Sequence, residues 1–117
     1  MAENNLISAT GYFNGSNSKS NFDVQLKFRF PQTEITNALQ FVTGIGKRMK
    51  LVALLSGETQ HIKLGIFNVY SMRIDRDMNC DVTFKSNLDN SFVGNFEKLM
   101  IDEAIITVKG KLLADDE

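Results

Sequence analysis

The sequence predicts a mainly β domain, a small barrel of about five to seven antiparallel strands with one amphipathic helix. Three observations lead there. Apolar and polar residues alternate with a period of two over several separate runs, the mark of half-buried strands. Those runs are separated by short clusters of Gly, Ser, Asn and Asp, which are turn formers. A single stretch, Thr33–Thr43, spaces its apolar residues as a helix does.

Taken along the chain, Asn5–Phe13 (NLISATGYF) is a first strand, and Asn14–Asn21 (NGSNSKSN) is a polar loop, able to act as a finger over a ligand with Tyr12 at its root. In Phe22–Phe30 (FDVQLKFRF), Phe22, Val24, Leu26, Phe28 and Phe30 form a core face, leaving Asp23, Gln25, Lys27 and Arg29 outside. Pro31, which has no N–H to donate, ends that ladder. In the helix, Thr33 is placed as cap, Glu34 meets the positive dipole end, Gly44 stops it, and Ile35, Ala38, Leu39 and Val42 make the apolar stripe. A strand at Met49–Leu55 and a turn at Ser56–Thr59 then lead into Gln60–Asp75 (QHIKLGIFNVYSMRID).

Gln60–Asp75 is read as a central strand, hairpin-paired on both sides and bent near Gly65 to follow a barrel corner. Its even positions, Ile62, Leu64, Ile66, Tyr70, Met72 and Ile74, are expected to face inward, and its odd positions, among them Lys63, Phe67 and Arg73, outward. A bulge at Asn68, which sits on the inward parity, would reverse Val69–Asp75 and separate Arg73 from Phe67. The turn Asp75–Asn79 leads to Cys80–Ser86, with Cys80, Val82 and Phe84 inside and Asp81, Thr83 and Lys85 outside. Asn87–Asp102 reads as an irregular connection, with a helical turn at Asn95–Met100 and Phe92 and Phe96 as anchors; Ala104–Leu113 is a last strand. One helix on a small sheet that closes on itself is the outline of an OB-like barrel, although the helix precedes the third strand where the common OB order puts it after.

A chain of 117 residues, 43% hydrophobic and 23% charged, is sized and composed for one domain, here residues 1–113, followed by an acidic tail at 114–117. No run is long enough for a membrane span and no secretory leader is read, so a cytoplasmic location is expected. With one histidine (His61) and one cysteine (Cys80), multi-histidine metal sites, an intrachain disulfide and the familiar nucleophilic triads drop out. Gly44-Ile45-Gly46 follows a helix and lacks the Gly-Lys-Ser/Thr ending of a phosphate loop, and DRDMN lacks the glycine and final glutamate of a calcium loop. The expectation is a binding module without cofactor or metal and without enzymatic activity.

The distribution of charge fits either a plainly solvated surface with a frayed acidic end or a basic body that binds an acidic ligand. Lys19–Ser86 carries ten basic and six acidic residues, a balance of +4, whereas Asn87–Glu117 carries three and seven, a balance of −4. A basic body with outward cations beside aromatic rings suits single-stranded nucleic acid, whose phosphates need charge and whose bases need flat apolar faces. The stacking candidates are Phe67 and Tyr12; the phosphate candidates are Lys27, Arg29, Lys47, Arg48, Lys50, Lys63, Arg73 and Lys85. Ile105, Val52 and Leu54, outward and apolar, point to a homodimer interface.

The segments MKLVALLSGETQHIKLGIFNVYSMRIDRD (Met49–Asp77) and DVTFKSNLDN (Asp81–Asn90) resemble the small single-stranded DNA-binding proteins of lactococcal phages and their relatives, a likeness that extends over Gly11–Lys111 in length and strand order. The resemblance implies an OB-type fold, a homodimer, sequence-tolerant binding of single-stranded DNA, and a role in phage DNA replication or recombination beside a strand-annealing recombinase. The tail Ala114–Glu117 is then a contact for that recombinase or a replication protein, and a competitor for the basic groove when DNA is absent. The competing expectation is a small β-rich virion or adaptor protein with no affinity for nucleic acid.

Overall fold

The computed structural model describes residues 6–20, 23–86 and 105–113. The expected helical turn at Asn95–Met100, the anchors Phe92 and Phe96, Phe22 and the acidic tail lie outside them. Six antiparallel strands, β1 (Leu6–Ser20), β2 (Asp23–Phe30), β3 (Met49–Leu55), β4 (Ile62–Ile74), β5 (Cys80–Ser86) and β6 (Ile106–Leu112), close into a barrel in the order β1-β2-β5-β4-β3-β6. The fold is thus a small OB-like β-barrel with, among the described residues, one α-helix, α1 (Ile35–Leu39), between β2 and β3.

Two long bent strands make closure possible. Residues Leu6–Gly11 of β1 pair with β6, whereas Tyr12–Ser20 pair with β2. Likewise Ile62–Phe67 of β4 pair with β3 and Asn68–Ile74 with β5. Each strand changes partner at its corner, so the ring is built from two curved sheets, one centred on β2 and β5, the other on β3 and β6. Gly11 occupies the corner of β1, packed so tightly that a Cβ there would overlap the carbonyl oxygen of Arg29 and the ring of Phe30. At the corner of β4, Gly65 adopts φ +120°, a region that side chains other than glycine's rarely enter.

The stretch expected to be a loop, Asn14–Asn21, instead continues β1 as far as Ser20, paired with Asp23–Lys27 of β2. Ladder hydrogen bonds join main chains and need no apolar side chain, so a Ser/Asn/Gly composition does not prevent a strand where a partner lies alongside.

The helix also differs in detail from its sequence reading. It is one α turn flanked by tight 3-10 turns, Gln32–Glu34 and Gln40–Gly44, and Pro31 holds the N-cap position in place of Thr33. The Glu34 carboxylate accepts a hydrogen bond from the Thr10 backbone N–H at 2.9 Å, tying the segment to β1. After Leu39 the pitch tightens to three residues per turn, which turns Ala38, Phe41 and Gly44 toward the core. Leu39 and Val42, expected in the stripe, are left 40% and 51% exposed.

Inside the barrel, the alternation read in β2 and β5 holds. Val24, Leu26, Phe28 and Phe30 are fully buried, as are Cys80, Val82 and Phe84. Phe41 closes the barrel against this wall, stacked on Phe30 at 5.9 Å between centroids and edge-on to Phe84 at 5.3 Å. Such pairs add to the area they bury and hold the wall of β2 and β5 in one geometry.

Candidate nucleic-acid interface

The central strand β4 contains two extra residues, and they decide which side chains reach the surface. Leu51 pairs with Gly65 and Val52 with Lys63, leaving Leu64 as a bulge; Val69 pairs with Phe84 and Ser71 with Thr83, leaving Tyr70 as a second. Each extra residue reverses the side-chain parity of the strand beyond it. Ile62 and Leu64 face inward, but past the first bulge Phe67 and Val69 do so, and past the second Met72. Phe67, expected outside as a stacking ring, is only 2% exposed and belongs to the core. Tyr70, expected inside, is 61% exposed.

Tyr70 is not a stray ring. The Lys85 ammonium on β5 lies 5.1 Å from its centroid, within the range of a cation–π contact. Lys85 itself pairs across strands with Asn68 and Gln25. The next row on the same outer face is Lys27, Thr83 and Ser71, on β2, β5 and β4, and the row beyond is Tyr12, Arg29, Asp81 and Arg73. Two strand spacings separate Lys27 from Ser71, so this face is about 10 Å wide between them. It carries the exposed rings of Tyr70 and Tyr12 with the cations Lys27, Lys85 and Arg73.

Arg29 belongs to that face geometrically but not electrostatically. Its guanidinium donates to both oxygens of Asp81 at 3.2 Å and to the Asp75 carboxylate. Two carboxylates on one guanidinium leave no net positive charge for a phosphate, so Arg29 is corrected from phosphate contact to structural tie. Asp75 is locked in turn by the β4–β5 turn: it accepts from the backbone N–H groups of Asp77 at 2.9 Å and Asn79 at 3.0 Å. Its carboxyl is held below the ordinary value of 3.8, first by the Asn79 backbone N–H, against desolvation, and further by the Asn79 side chain, the Asp77 N–H and the Arg29 charge.

The remaining candidates lie elsewhere. Lys50 and Lys63 stand on the outer face of the other sheet, on β3 and the first half of β4. Lys47 and Arg48 are exposed in the turn before β3, two residues and one residue before the Met49–Phe67 pair, where β4 leaves β3 and takes up β5. The ten side chains named from the sequence therefore do not share one groove. Tyr12, Lys27, Arg73 and Lys85 share an outer face, Lys50 and Lys63 share another, Lys47 and Arg48 sit at the seam, Arg29 is ion-paired, and Phe67 is buried. Tyr70 was missed; the glycine at Gly65 was the available signal, because a glycine inside a strand marks a bulge and a bulge shifts the parity by one.

Among the described residues no group of three His, Cys, Asp or Glu side chains could hold a metal ion, and no helix is long and apolar enough to cross a membrane. Compared with protein-family models and with curated proteins, the sequence matches none.

Proposed function

We propose that this chain is a sequence-tolerant single-stranded DNA-binding protein, holding DNA on the outer face of β2, β5 and the second half of β4. The observation that carries the proposal is the Tyr70–Lys85 pair, an aromatic ring 61% exposed with an ammonium 5.1 Å from its centroid. Every base offers a flat π face, so a fixed ring binds without reading sequence, and neighbouring cations follow the phosphates. Lys27, Arg73 and Lys85 supply those cations, and Tyr12 a second ring. The likeness of Met49–Asp77 and Asp81–Asn90 to the phage single-strand binders supports the same reading, with action as a homodimer in phage DNA replication or recombination, in the host cytoplasm, beside a partner protein. The protein then works by binding and not by catalysis.

The test is a fluorescence titration with labelled oligo-dT at two salt concentrations, with a duplex of equal length as competitor. Binding that weakens steeply with salt and prefers the single strand supports the proposal; no binding at low salt, or no preference over duplex, sinks it. One observation favours a second reading, a protein–protein adaptor: Leu39, Val42 and Ile45, large apolar residues in or just after the helical segment, are 40%, 51% and 53% exposed. Under that reading a Val42→Asp variant loses self-association or partner capture while oligo-dT has no effect on either protein.

A further inference from the structure

The strands β1, β3, β4 and β6 contain no Asp or Glu, yet β3, β4 and β6 place Lys50, Lys63, Lys109 and Lys111 on the outer face of the sheet opposite the Tyr70 face. Val52 pairs with Lys63 on one side and Lys109 on the other, so these two lysines flank a half-buried valine in one cross-strand row. In the next row but one, Lys50 and Lys111 are direct partners, flanked by Ile66 on β4 and Leu6 on β1. Lysines directly opposite one another repel. Among the described residues, neither Lys50 nor Lys111 is held in an ion pair. Glu34 is engaged by Thr10 and Asn37, and Glu58 lies exposed in the β3–β4 turn.

From this we infer that the β4–β3–β6 face is a second track for a nucleic-acid backbone, one that binds phosphates without stacking bases. The inference rests on the proposed single-strand binding and deepens it: the barrel engages two segments of single strand, one on each sheet. The two faces differ in chemistry. Around Tyr70, rings and cations are mixed, whereas the lysine face exposes Leu6 and, half-buried, Ile66 and Val52, with no aromatic ring among its described residues. The seam cations Lys47 and Arg48, at the point where β4 passes from one sheet to the other, lie between the two tracks.

The test compares wild type with Lys50→Gln/Lys109→Gln/Lys111→Gln, and with Tyr70→Ala, by titrating oligo-dT of increasing length over a salt series. With long oligo-dT, the triple glutamine variant is expected to show a log K against log salt slope shallower by about 2, at roughly 0.7 for each phosphate no longer neutralised. Tyr70→Ala is expected to weaken binding at every length and to leave the slope as in wild type. With an oligonucleotide too short to reach both sheets, the triple variant is expected to match wild type. A triple variant whose slope with long oligo-dT equals that of wild type overturns the second track and leaves the Tyr70 face intact. Failure of wild type to bind any oligo-dT is the separate result that overturns the single-strand reading itself. Circular dichroism of the triple variant checks that its barrel is retained; removing the Lys50–Lys111 repulsion is expected to leave its melting temperature equal to or above that of wild type.

Discussion

Replacing Tyr70 by alanine separates the role of this ring from that of every other aromatic in the chain. The ring is 61% exposed and contributes little to the core, so its loss leaves the fold in place. What the folded protein forfeits is the contact with Lys85, about 0.5–1 kcal/mol at an exposed site. For binding, one stacked base is worth about 1–3 kcal/mol. At 1.4 kcal/mol per tenfold, Kd for oligo-dT is expected to rise roughly 5- to 150-fold. The loss should be nearly the same at low and high salt, because tyrosine carries no charge and releases no counterion. Tyr70→Phe keeps the ring and is expected to stay close to wild type. The decisive control is Phe67→Leu. That ring is only 2% exposed, so the substitution is expected to lower the unfolding midpoint without changing Kd. Fluorescence anisotropy with labelled oligo-dT reads all of these. If Tyr70→Ala binds as wild type does while Phe67→Leu, still folded, loses affinity, the parity assigned to β4 is wrong and the stacking argument fails with it.

Gly11→Ala places a Cβ against the carbonyl oxygen of Arg29 and the Cα of Phe30, backbone atoms that no rotamer change can move, and is expected to cost about 1–3 kcal/mol in urea unfolding. Asp75→Asn keeps the acceptor for the Asp77 and Asn79 N–H groups but removes the charge facing Arg29. Because the folded carboxyl titrates below its ordinary value, its contribution is present above 3.8 and is lost as pH falls through the folded value. The melting temperature of Asp75→Asn should therefore lie below that of wild type at neutral pH, with the gap closing below pH 3.8. Cys80 is fully buried, and desolvation followed by the nearby Asp81 charge raises its thiol pKa, so native protein should react with a thiol reagent far more slowly than protein in denaturant.

Which parts of this molecule could be read from residue order depends on how far each feature is set by chain neighbours alone. The walls β2 and β5 were legible because they pair without a register shift between them, so the period of two in FDVQLKFRF and CDVTFKS maps straight onto inside and outside. In the helix the apolar spacing pointed to a core face, but after Leu39 the pitch changes from 3.6 to three residues per turn, and Phe41, packed on Phe30 and Phe84, is buried where Val42 was expected. For Asn14–Ser20 the composition pointed to a loop, and only the presence of β2 alongside makes it a strand. Arg29 looked available because its acids, Asp75 and Asp81, stand 46 and 52 residues away in sequence.

The central strand shows how a correct general reading can still misplace the residues that matter. The bend at Gly65 and the double pairing of β4 both follow from its pattern, and both are present. A bend in a paired strand is, however, made by adding a residue to one side of the ladder, and an added residue reverses every side chain beyond it. Carrying that reversal through from Leu64 alone buries Phe67 and Val69 and turns Asn68 and Tyr70 outward, all four as observed. The second bulge, at Tyr70, restores the original parity, so Met72 is inward and Arg73 outward as the plain alternation had them. The corner that closes the barrel therefore also selects the aromatic ring offered to a ligand. Between the two bulges, β4 passes from the lysine face to the Tyr70 face. One strand supplies Lys63 to the first and Tyr70 and Arg73 to the second, so substitutions that alter its bulges, such as Gly65→Ala, should disturb both faces together.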